Sequence, residues 1–153
     1  MRNLKLKLLV FCAVLGMFGN APVAYCDQGF DNETIEGTFA FSAHGVVGQT
    51  TGPIPAGTPV VTVGIITFDE DGTCVSRATT KVGAFPAIPP NPSTACTFHV
   101  NPDGTGTFQV TNAGSPFSPV VLEFSIVDKN EFLVITTDEL VLSGVAKRQR
   151  KGD

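Results

Sequence analysis

Short apolar alternations, broken by glycine, proline and acidic turns, run from residue 35 to residue 146. No stretch of that region returns apolar residues at helical spacing, so the chain predicts strands joined by turns. A first strand is expected over 35–47, with Phe39 and Phe41 on one face. Residues 48–59 carry Pro53, Pro55 and Pro59, which cannot donate to a ladder, and read as a loop. A second strand follows at 60–68, with Val61, Val63 and Ile65 on one face. The turn Asp69-Glu70-Asp71-Gly72 leads to a third at 73–82, Gly72 being free to take positive φ. Ala84 to Pro92 holds four prolines and reads as a second irregular loop before a fourth strand at 94–100. Asn101-Pro102-Asp103-Gly104 is the clearest turn: Asn opens it, Pro presets φ, and Gly closes it.

A fifth strand spans 105–111, with Phe108 and Val110 on one face, and a loop covers 114–119. The sixth, 120–127, alternates Val120, Leu122, Phe124 and Ile126 against Val121, Glu123, Ser125 and Val127. Asp128 to Asn130 turns it into a seventh at 131–136, and an eighth occupies 139–146. Eight short strands with tight turns predict an all-β, eight-stranded antiparallel up-and-down barrel, with a two-sheet sandwich as the alternative. Closure removes the exposed edges of an open meander. A barrel of this size is either filled by side chains or holds one small ligand.

The segment before this region is of another kind. Arg2, Lys5 and Lys7 precede an uncharged apolar run from Leu8 to Phe18, and small residues lead to the first acid, Asp27. That order reads as a secretory signal peptide over residues 1–26. The run is about half of the roughly 20 residues that cross a bilayer, so the chain is not expected to span a membrane. Cleavage after Cys26 places Ala24 and Cys26 at the −3 and −1 positions; cuts after Ala24 or Ala21 bring in Pro22 unfavourably. A lipid-modified Cys26 is disfavoured by the bulky Tyr25 before it. The expectation is a secreted or periplasmic single domain over 27–153. With Cys12 and Cys26 in the leader, it keeps the pair Cys74 and Cys96.

That domain carries all 14 acidic residues, with Lys and Arg far fewer, so nucleic acid is not an expected partner. Only Lys147, Arg148, Arg150 and Lys151 cluster, and they read as a short, solvated basic tail. There is no Trp, and the only Tyr lies in the leader, so the aromatic content is phenylalanine. Phenylalanine suits cores and apolar pockets rather than wet recognition surfaces.

Four segments carry a family likeness. Glu36-Gly37-Thr38-Phe39-Ala40-Phe41 opens the first strand, and Ile66-Thr67-Phe68-Asp69 precedes the acidic turn. Residues 97–107, Thr97-Phe98-His99-Val100 through Thr105-Gly106-Thr107, form the central hairpin, and Leu142-Ser143-Gly144-Val145-Ala146-Lys147-Arg148-Gln149 closes the domain. Together these resemble a group of secreted bacterial proteins of unknown function with allene oxide cyclase-like, calycin-type β-barrels. The resemblance covers nearly all of residues 27–153 and rests on strand and turn motifs. Lipocalin-type calycins begin with Gly-x-Trp, the Trp lying under a cation from the last strand. Gly37-x-Phe39 stands at the matching place, with Phe for Trp, and the likeness implies Lys147 or Arg148 as the cation. The plant cyclases isomerise a fatty-acid epoxide, but their catalytic residues have no positional match here, and that activity is not carried over.

Motif chemistry is sparse. Two thiols in an oxidising compartment predict a Cys74–Cys96 disulfide. A hairpin centred on the proline loop would set Cys74 opposite Pro102, so the bond requires an asymmetric loop. His44 and His99 are the only histidines, and neither has a second ligand at motif spacing, so each reads as exposed or hydrogen-bonded. Asp69, Glu70 and Asp71 lack the spacing of a calcium loop and read as a solvated turn. Asn32-Glu33-Thr34 fits a glycosylation pattern without an expected use. No catalytic, cofactor or metal residues are assigned. The expected role is a non-enzymatic binding or structural module, either for a small apolar ligand in the interior or for a surface partner through loops 48–59 and 84–93. A barrel isomerase is the alternative, and it requires His44, His99 or Glu123 to point inward.

Overall fold

The computed structural model describes residues 29–113, 115–136 and 138–149. A 3-10 turn, Asn32–Ile35, precedes eight strands: β1 (Gly37–Val47), β2 (Pro59–Phe68), β3 (Cys74–Val82), β4 (Ala95–Val100), β5 (Thr105–Thr111), β6 (Val120–Asp128), β7 (Glu131–Ile135) and β8 (Leu140–Arg148). They form one antiparallel sheet in the order β3-β2-β1-β8-β7-β6-β5-β4. First and last strands pair at the middle of the sheet, and β3 and β4 are its edges. The sheet curls until rings from both halves meet inside: Phe68 of β2 lies 4.8 Å from Phe98 of β4, centroid to centroid. The leader and its cut after Cys26 lie outside the described residues.

Two near-identical turns set the registers of β2–β3 and β4–β5. Asp71 accepts hydrogen bonds from the Thr73 amide (2.9 Å) and hydroxyl (2.6 Å). Asp103 does the same for Thr105, at 2.9 and 2.7 Å. Gly72 and Gly104 follow at φ +87° and +83°, a region where a Cβ is strained. The amide of Phe98 donates to the carbonyl of Gly72, so the first of these turns sits against β4.

The edges β3 and β4 share no continuous ladder. They meet at the bridge Thr73↔Thr97 and at the disulfide Cys74–Cys96, whose Cα atoms are 4.8 Å apart. The proline segment resolves the asymmetry the disulfide needs. The chain reverses at once after β3, with the Phe85 amide donating to Val82, so the turn precedes the prolines. Residues 86–93 are the return limb. Thr80 and Ile88 exchange both backbone hydrogen bonds, and the Ser93 amide donates to Ser76. The prolines deny this limb a ladder, but it still covers the free edge of β3.

Two further expectations shift, and one that the sequence left open is settled. Residues 35 and 36 belong to the 3-10 turn and its cap, because Asp31 caps it through the Thr34 amide. On β2 the set Val61, Val63 and Ile65 faces outward; Val60, Thr62, Ile66 and Phe68 are the buried set. Both faces of β2 are apolar, and its pairing with β1 decides: Ile66 lies opposite the buried Phe39. Strand β8 runs on to Arg148, so Lys147 and Arg148 are sheet residues and not tail; Lys147 pairs with Glu131 at 3.0 Å. Arg150 and Lys151 lie outside the described residues.

Candidate functional site

The interior of the curled sheet is divided along its length. At the end holding the 3-10 turn, six strands each contribute one ring: Phe39, Phe68, Phe98, Phe108, Phe124 and Phe132. Phe68 alone stacks with four of them, at centroid separations from 4.8 to 6.0 Å, mostly edge to face. Such pairs add roughly 0.5–1.5 kcal/mol beyond the area they bury. Arg148 closes this end. Its guanidinium carbon stands 4.6 Å from the centroid of Phe39. It also donates to the carbonyls of Lys129 (2.8 Å), Thr34 (3.2 Å) and Glu36. Of the two cations the sequence offered for Phe39, Arg148 is the one in place.

Toward the other end the inward residues become small. Ala43 of β1, Thr62 of β2, and Ser76, Ala78 and Thr80 of β3 face Phe108, Val110, Leu140 and Leu142 across a cavity of about 90 Å³. A water needs only about 10–15 Å³, so this space is larger than a single water requires. None of the described lining residues is ionisable. Thr80 donates to Thr62 at 3.0 Å, and Thr136 is held between Leu140 and Leu142. Sequence reasoning did not find this cavity. Its signal is the row of small side chains on β1–β3, which is visible only once the inner face of β2 is known.

The three titratable residues on which the isomerase alternative depended all lie on the outer face. His44, His99 and Glu123 are exposed. Their neighbours in sequence, Ala43, Phe98, Val100 and Phe124, point inward. Glu123 borders a solvent-open depression on β5–β7, and His99 borders another beside Glu33 and Glu70. Among the described residues, no three His, Cys, Asp or Glu side chains gather closely enough to hold a metal ion. The acids at the turns are structural. Hydrogen bonds from the Thr73 hydroxyl and amide hold the Asp71 carboxyl below its ordinary value, and Thr105 does the same for Asp103. No helix among the described residues is long and apolar enough to cross a membrane.

No family model matches the chain, and no curated protein does either. Solved structures with a similar course of chain include a redesigned β-barrel, b11L5F_LGL, with 15% identity and a TM-score of 0.46 over 78% of this chain and 95% of that one. The redesigned β-barrel mFAP1, bound to DFHBI, has 13% identity and a TM-score of 0.40 over 76% and 97%. The S-type phycobiliprotein lyase CPES from Guillardia theta has 7% identity and a TM-score of 0.38 over 79% and 92%.

Proposed function

We propose that this protein is an exported binding module that holds a small, largely apolar molecule inside a closed, calycin-like β-barrel. The observation that carries the reading is the divided interior, packed with rings at one end and hollow at the other. A core built only for stability would be filled throughout, since voids cost stability in proportion to their volume. On this reading the disulfide, the bridge Thr73↔Thr97 and the limb 86–93 complete the barrel wall where the ladder stops. Residues 1–26 act as the signal peptide, and the domain over 27–153 works in the periplasm or outside the cell, where a disulfide persists. The outward placement of His44, His99 and Glu123 weighs against the isomerase alternative.

Titration with benzene, followed by amide chemical shifts, tests the reading. Saturable shifts are expected at Ala43, Ala78, Val110 and Leu142, and their loss in Ala43→Leu, which fills the cavity. Shifts spread evenly over the outer face, or none at all, would refute it.

A further inference from the structure

We infer that the depression on the outer face of β5–β7 is a second site, separate from the interior, which takes a small primary amine: an ammonium group on an apolar body. The depression holds about 540 Å³, within the roughly 300–1,000 Å³ of small-molecule sites. Short side chains form its floor. On the inner face a Cβ at Gly106 would collide with the ring of Phe124, so β5 lies close over that ring. On the outer face only Thr105 and Thr107 rise from this part of β5. The registers then set six outward side chains in two rows of three. Thr107 of β5, Glu123 of β6 and Ile135 of β7 form one row; Thr105, Ser125 and Leu133 form the other. All six line the depression. Side chains opposite one another in a ladder stand about 5 Å apart.

The charge in this grid is uncompensated. Glu123 has Thr107 and Ile135 across from it, and Val121 and Ser125 beside it on the same face, none of them a cation. Glu131, two residues before Leu133 on the same face of β7, is already paired with Lys147 at 3.0 Å; among the described residues no ion pair involves Glu123. An ammonium group brings three donors and no acceptor. The Glu123 carboxylate and the neighbouring hydroxyls of Thr107 and Ser125 are acceptors for it, while the Thr105 hydroxyl is spent on Asp103. Beside them Leu133 and Ile135 are 52% and 44% exposed, so an apolar body can bury surface there. They stand about 7 Å apart along β7, a width that suits a branched or cyclic body better than the thin stem of a lysine side chain. The chain's net charge of −4 adds a field that favours cations.

Three probes of one skeleton separate the possibilities: cyclohexylmethylamine, cyclohexylmethanol and cyclohexanecarboxylate, each titrated at pH 7 and low salt with amide shifts as the readout. The amine should give saturable shifts at Thr107, Glu123, Ser125, Leu133 and Ile135. The alcohol should bind there about 2- to 5-fold more weakly, the worth of a partly screened ion pair, and the carboxylate should not bind there. Glu123→Gln should bring the amine down to the level of the alcohol, and Glu70→Gln, at an exposed turn, should change nothing. Leu133→Thr should weaken amine and alcohol together. Ala43→Leu, which fills the interior cavity, should leave both as they are. A thermal melt checks that each variant is folded. Alcohol or carboxylate binding as tightly as the amine would overturn the inference, and this contrast needs no variant. Equal amine affinity in wild type and Glu123→Gln, shifts spread over all the exposed acids, or loss of the amine in Ala43→Leu would also overturn it. N-acetyl-lysine N-methylamide binding more tightly than the amine would replace the small molecule with a lysine side chain of another protein. Absence of saturable amine binding would remove this site and leave the interior reading, tested with benzene, standing.

Discussion

Phe68 and Arg148 carry the closed end between them. Phe68 is fully buried and touches rings from β1, β4, β5 and β7, so Phe68→Ala should destabilise the protein by about 3–5 kcal/mol in urea unfolding. Arg148 covers Phe39 and satisfies three carbonyls with one planar group. Arg148→Lys keeps the charge but loses the fork geometry, and should still cost about 1–2 kcal/mol by the same measurement. Phe39 was readable from the sequence, and its cation was narrowed to Lys147 or Arg148, because the likeness to Gly-x-Trp barrels supplied the pairing. The deeper contacts of Phe68 were not, because they join strands that are distant in sequence. At the turns, Asp71 and Asp103 ionise more readily when folded than ordinary aspartate does. Their contribution to stability is therefore complete above the ordinary aspartate range, near pH 4, and is lost as pH falls through the lowered values. Carbon-detected titration should show both carboxyls below the ordinary value, and Thr73→Val should return Asp71 toward it.

At the scale of elements, the strands were legible and their faces only partly so. Where polar and apolar residues alternate cleanly, as in β6, the inner set could be read directly. Where both faces are apolar, as in β2, only pairing with a neighbour decides, and Val61, Val63 and Ile65 turn out to face solvent. The proline segment was legible as an irregular loop, but the position of its turn was not, for a related reason. Prolines mark where a ladder fails, but they do not say on which side of them the chain turns. Because the turn lies at residues 82–85, Cys74 and Cys96 come opposite one another. The disulfide closes a loop of 22 residues in separation and should contribute about 3 kcal/mol. Replacing both cysteines with alanine should lower stability by that amount. Hydrogen exchange at Thr80 and Ile88 should then accelerate first, since that limb is tied by few bonds. Uniform acceleration across β1 and β8 would contradict this account of the seam.

At the scale of the whole molecule, composition pointed to one phenylalanine-rich β domain with a greasy interior and no catalytic constellation. It could not reveal that the interior is uneven, because that depends on which small residues share a level: Ala43, Thr62, Ser76, Ala78 and Thr80 come from three strands. The same division leaves the interior packed with rings at one end and lined by small side chains around a cavity at the other. Diffraction from xenon-pressurised crystals reads it most directly, because xenon enters apolar voids and leaves filled cores empty. The account predicts xenon density against Ala43, Val110 and Leu142, and none among the rings around Phe68. An interior without xenon, or xenon lodged between those rings, would contradict it.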